Sequence, residues 1–131
     1  MKFHALLTAS ALSILWAAAP AAAQDCRDVY IENACHKTVR IVVNSAARWH
    51  DWRNFGWYTI KRGVNTKLLS NDRPICHRLD HDLYFHAETT DGKFYWEGDD
   101  YKAKFRGTTY PMRKASTTRY HGGSLIEITC N

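Results

Sequence analysis

The sequence has no C-x-x-C pair, no Walker-type phosphate loop, no dinucleotide-binding glycine fingerprint and no G-x-S-x-G elbow. A thiolate zinc site or thioredoxin-like redox centre, nucleotide chemistry and α/β-hydrolase chemistry therefore lose their usual signatures. Repeats, low-complexity tracts and an interdomain linker are also missing, which argues against solenoids and multidomain arrays. Helical periodicity is nearly absent. Beyond residue 23 no run approaches the roughly 20 apolar residues that a membrane-spanning helix needs.

What is present begins with an export leader. Met1-Lys2-Phe3-His4 gives a short positive start. Ala5 to Ala18 is apolar except for Thr8, Ser10 and Ser13, and Ala21-Ala22-Ala23 supplies a small-residue cleavage site. Residues 1–23 read as a signal peptide and 24–131 as one β-rich domain. The expected location is the periplasm or the exterior, with no integral membrane segment left after cleavage. Cys26 follows Ala23-Gln24-Asp25 and lacks the small-residue context of a lipoprotein.

Four cysteines, Cys26, Cys35, Cys76 and Cys130, remain in the mature region. An even count in a small exported domain reads as two disulfides, and four cysteines permit three pairings. The expected pairing is Cys35 with Cys130 and Cys26 with Cys76. Removing Lys2 leaves 17 basic against 13 acidic residues, a net charge of +4. Tyr101 to Ile126 holds six basic residues and no acid, whereas Asp80 to Asp100 holds seven acids and one lysine. A basic stretch of this kind attracts anionic surfaces or is neutralised by the acids beside it.

Short β-type runs follow one another. Val29-Tyr30-Ile31, the β-branched Thr38–Val43, Gly56–Lys61 and Thr66–Leu69 read as strands. Asn71–Pro74 reads as a turn, and Ala46–Arg53 as one helical turn. Leu83–Thr90 and Lys93–Gly98 flank Asp91-Gly92, the signature of a two-residue hairpin. Pro111 suits the end or edge of a Thr108–Tyr110 strand, and Gly122-Gly123 precedes a last strand, Leu125–Cys130. The expected fold is all-β: an antiparallel β-sandwich or small barrel of six to eight short strands, stapled by disulfides.

The run CHRLDHDLYFHAE, Cys76 to Glu88, concentrates metal-ligand types. A zincin would need Glu directly after the first histidine, and this chain has Arg78 there. On a strand His77 and His81 stand about 13 Å apart, too far for one ion. No metal and no cofactor is expected, and the run reads as a disulfide-anchored loop entering a strand. In that strand Leu83, Phe85 and Ala87 share the core face. Tyr84, His86 and Glu88 share a half-exposed face with Tyr95 from the hairpin partner.

Aromatics cluster at Trp49, Trp52, Phe55, Trp57 and Tyr58. Trp57 and Trp96 read as core, whereas Trp49 and Trp52 sit among His50, Asp51 and Arg53 and suit a stacking surface. Ligand-binding candidates are thus Trp49, Trp52, Tyr84, His86, Tyr95, Lys102, Lys104 and Arg106. No residue is assigned to catalysis. Glu97 with Asp99 or Asp100 offers a carboxylate pairing of the kind a glycosidase uses, and reads equally as an acidic turn.

Several segments together resemble the bacterial domain of unknown function 1036 family. They are Cys35-His36-Lys37-Thr38 before a valine-rich strand, Gly56-Trp57-Tyr58-Thr59-Ile60 with Gly63, Leu83–Ala87, and Trp96-Glu97-Gly98. The resemblance runs from Val29 to Gly98. It implies an exported bacterial β domain and no established activity. Family members place a cysteine near the Gly63 turn, where this chain has Val64-Asn65, so no disulfide pairing carries over.

The favoured reading is an exported, non-catalytic binding domain of the cell envelope. Its partner would be an envelope polysaccharide, an anionic surface or a protein, and nucleic acid is not expected. The alternatives are a small secreted hydrolase of cell wall or polysaccharide, and a secreted toxin, effector or inhibitor that binds a protein.

Overall fold

The computed structural model of the chain describes residues 26–48 and 50–131. The segment expected to be a leader, residues 1–23, and the candidate Trp49 lie outside the described residues. Strands run in the order β1 Cys26–Asn33, β2 Val39–Arg48, β3 Asp51–Ile60, β4 Asn65–Lys67, β5 Leu69–Ser70, β6 Arg73–Pro74 and β7 Cys76–Arg78. They continue with β8 Tyr84–Thr89, β9 Tyr95–Trp96, β10 Tyr101–Phe105, β11 Thr108–Lys114, β12 Thr117–Tyr120 and β13 Gly123–Ile128. The fold is all-β and carries two disulfides, Cys26–Cys76 and Cys35–Cys130, with Cα–Cα distances of 5.4 and 4.7 Å. Among the described residues no helix is long and apolar enough to cross a membrane.

Two sheets form the body. One has the order β12-β13-β1-β4, with β7 continuing the β4 edge of β1; the other has the order β10-β11-β8-β2-β3, with β9 beside β8. Strands β5 and β6 make a separate small hairpin. The sheets enclose a core of Val29 and Ile31 from β1, Val39, Ile41 and Val43 from β2, Phe85 and Ala87 from β8, and Ile126 and Ile128 from β13. A second, smaller core of Val42, Ala103 and Met112 lies on the other face of β2, where β10 and β11 curl over it. Strand β2 is therefore buried on both faces. That explains why Ile41-Val42-Val43 is continuously apolar and does not alternate.

Several sequence expectations change. Ala46–Arg53 is strand on both sides of a tight reversal: Ala46 pairs with Trp52 and Arg48 with Asp51. The Asp91-Gly92 hairpin has a longer loop than two residues, because Thr89 N–H donates to Phe94 O. The buried Thr89 Oγ1 organises that loop by accepting from the Lys93 and Phe94 amides and donating to Asp91. Pro111 sits inside β11, at the point where the strand passes from β10 to β8, so its missing N–H interrupts no ladder to β8. The pair β1–β13 is parallel, an exception to the otherwise antiparallel pairing. Gly123 opens that ladder. A Cβ there would overlap the Asp28 carbonyl oxygen, so only glycine lets the two backbones approach.

Candidate functional site

The alternation of β8 sets the site. Phe85 and Ala87 enter the main core, while Tyr84, His86 and Glu88 point to the curled side. His86 is only 4% exposed. This corrects the half-exposed face expected for it: β11 closes over the ring, and Nδ1–H donates to Pro111 O at 3.0 Å. Trp57 and Tyr110 pack around it, with centroids at 6.0 and 5.2 Å. Glu88 pairs with Arg40, whose guanidinium lies 4.3 Å over the Trp57 ring. Glu97 reaches within 3.8 Å of the His86 ring. Asp100, by contrast, accepts the Lys114 amide at 2.9 Å. His86 is thus held inside a wall by its neighbours, and Glu88 is already occupied by a cation.

At the open end of this curled sheet three rings from three strands meet. Tyr84 and Tyr101 stack with centroids 5.2 Å apart and planes at 29°. Trp52 lies 5.9 Å from Tyr84 and 6.5 Å from Tyr101. Trp52 and Tyr101 are 38% and 39% exposed, so their faces are accessible. His81 flanks Trp52 at 5.8 Å. Its neighbour Asp80 is held at about 2 by hydrogen bonds from Arg78, with His81 contributing. Desolvation pushes the Tyr84 hydroxyl above its usual range, and the charge of Asp82 adds to that. Asp82 in turn lies 3.3 Å from Lys114 Nζ. The result is an aromatic shelf edged by Asp82, Asp100 and Lys114.

The structure joins Trp52 and Tyr84 but separates the other candidates. Tyr95, 56% exposed, stands on the short β9, paired with Glu88 away from the shelf. Lys102 and Lys104 alternate with Tyr101, Ala103 and Phe105 along β10 and project to the opposite, outer face. Arg106 donates to Gly56 O at 3.3 Å and covers Phe105. The basic segment therefore does not form one surface: Arg106 is engaged locally, whereas Lys102 and Lys104 face away from the shelf. Tyr101, which completes the shelf, escaped the sequence reading. Its only trace is the apolar-polar alternation of Tyr101–Phe105.

The histidine-rich run does not gather a metal site. His77 is buried, with Nδ1 accepting from Ala46 N–H at 3.2 Å and lying 3.0 Å from Ser45 Oγ, while Nε2–H donates to His81 O at 2.8 Å. Burial lowers its pKa and keeps it neutral. Cys76–Arg78 is a short strand on β1, not a loop. Among the described residues, the one group with metal-ligand spacing is Cys35, His36 and Cys130, and its two sulfurs are joined in a disulfide.

No family model matches the chain, and neither do any curated proteins or solved structures.

Proposed function

We propose that the chain is an exported, non-catalytic binding domain that recognises a saccharide of the bacterial envelope on the Trp52–Tyr84–Tyr101 shelf. The observation that carries this is the three-ring arrangement itself, in which two rings stack and two are more than a third exposed. The partly exposed Trp52 and Tyr101 rings offer a pyranose ring an aromatic face to stack on. Asp82 and Asp100 at its edge supply acceptors for sugar hydroxyls, and Lys114 supplies a donor. The leader and the two disulfides support a periplasmic or extracellular location. Kinship with the domain of unknown function 1036 family belongs to the same proposal and rests on the motifs between Cys35 and Gly98.

A titration with soluble N-acetylglucosamine oligomers, followed by two-dimensional NMR, tests the proposal. The Trp52 indole N–H should shift saturably. Trp52→Ala and Tyr101→Ala should each weaken binding roughly 5- to 150-fold, the range expected for losing one stacking ring. Binding that is unchanged in both variants, or no shift with any envelope saccharide, would overturn the assignment.

A further inference from the structure

The β2–β3 hairpin has a second face. Trp52 and Asn54 point to the curled side, whereas Asp51, Arg53 and Phe55 point the other way and help to line a cleft of about 700 Å³. The small β5–β6 hairpin forms the opposite wall. Three arginines from two hairpins, Arg48 and Arg53 from β2–β3 and Arg73 from β5–β6, border this cleft, against one acid, Asp51. Asp51 is engaged by Arg53 at 3.1 Å. Neither Arg48 nor Arg73 has a carboxylate partner among the described residues. Between the cations lies an apolar floor made by Phe55, Pro74 and the buried Ile75.

We infer that this cleft binds a phosphoryl group carried on an apolar body, independently of the aromatic shelf. Guanidinium forks match phosphate oxygens in pairs, and two uncommitted arginines leave a net positive charge where an anion would sit. The volume falls within the range of small-ligand sites, and the floor gives the non-phosphate portion of the ligand a surface to cover. The outer lysines of β10 have no such enclosure. The phosphoryl group could be that of a soluble phosphate ester or of a lipid headgroup, and the chemistry of recognition is the same.

The probes are phenyl phosphate, inorganic phosphate and vesicles containing phosphatidylglycerol, each applied to the oxidised protein. Phenyl phosphate should shift the amides of residues 47–53 and 70–76 saturably, and bind more tightly than inorganic phosphate. Arg48→Gln with Arg73→Gln should weaken it roughly a hundredfold or more, as expected for two lost charge-assisted contacts. Lys102→Gln with Lys104→Gln should leave it unchanged. Both pairs are solvent-exposed, and amide dispersion reports directly whether each variant is folded. Vesicle flotation that the arginine pair abolishes and phenyl phosphate competes would assign a lipid source. Phenyl phosphate binding without flotation would assign a soluble one. No saturable shift, or shifts that survive in the arginine variant, would overturn the site. Trp52→Ala should not alter phosphate binding, so the failure of one site is distinguishable from failure of the other.

Discussion

At the residue scale, a few buried polar side chains hold loops that would otherwise be free. Thr89 Oγ1 accepts two backbone amides inside the β8–β9 turn. Thr89→Val keeps the shape and removes the acceptor, so it should cost about 1–3 kcal/mol in urea denaturation. Lys37 and Asp91, 2.6 Å apart, hold the same turn, and hydrogen bonds from Lys37 and Thr89 keep Asp91 well below the usual carboxylate range. His77 makes a pH-dependent contribution. Its native pKa lies below the unfolded value of 6.5, chiefly through desolvation. The unfolded chain therefore binds its proton first. Stability should be whole above that value and decline as the pH falls through 6.5 towards the native pKa. The urea midpoint measured from pH 7.5 to 5.5 should fall more steeply in the native protein than in His77→Gln, and parallel curves would refute the role. The sequence showed His77 as a metal-ligand type without showing its fate, because the groups that fix it come from β2, more than thirty residues earlier.

Elements were legible where their signal was local. Thr38–Val43 reads as a central strand from β-branched content alone, and it is the strand between β8 and β3. The last strand and the Gly122-Gly123 reversal were visible for the same reason. Strand β10 was not, since Tyr101–Phe105 carries three charged or hydroxylated residues and packs on a core that exists only once the sheet curls. The helical turn expected at Ala46–Arg53 failed because cross-strand pairing of Ala46 with Trp52 outweighs weak local propensity. Met112, fully buried in the second core, holds β11 and β10 against β2. Met112→Ala should cost about 2–5 kcal/mol. It should also broaden the Tyr101 and Tyr84 signals, since the shelf depends on that curl. Gly123→Ala should disrupt the start of the β1–β13 ladder, read as faster amide exchange at residues 29–31 and 124–126.

At the scale of the whole molecule, two cross-links span 50 and 95 residues of sequence. In the chain-entropy picture each stabilises by about 4–5 kcal/mol, comparable with the whole stability of a small domain. Reduction should therefore unfold the protein at 37 °C, and thermal melts with and without dithiothreitol measure it. The two hairpin faces give the molecule separable surfaces, one aromatic and one cationic. The ring positions were half visible in sequence: Trp52 and Tyr84 stood out, but Tyr101 joins them from β10, a lysine-interleaved strand with no clear strand signal of its own. The cationic cleft was not visible, since Arg48, Arg53 and Arg73 meet only through the folding of two hairpins. The most direct measurement is co-sedimentation of the oxidised protein with purified cell-wall sacculi, at low salt and at 0.5 M salt, a concentration at which charge attraction is screened over only about 4–5 Å. We expect retention at both salt levels, and its loss in Trp52→Ala/Tyr101→Ala with the fold intact. Retention that vanishes at high salt, or that survives in the double variant, would contradict the aromatic shelf as the binding surface.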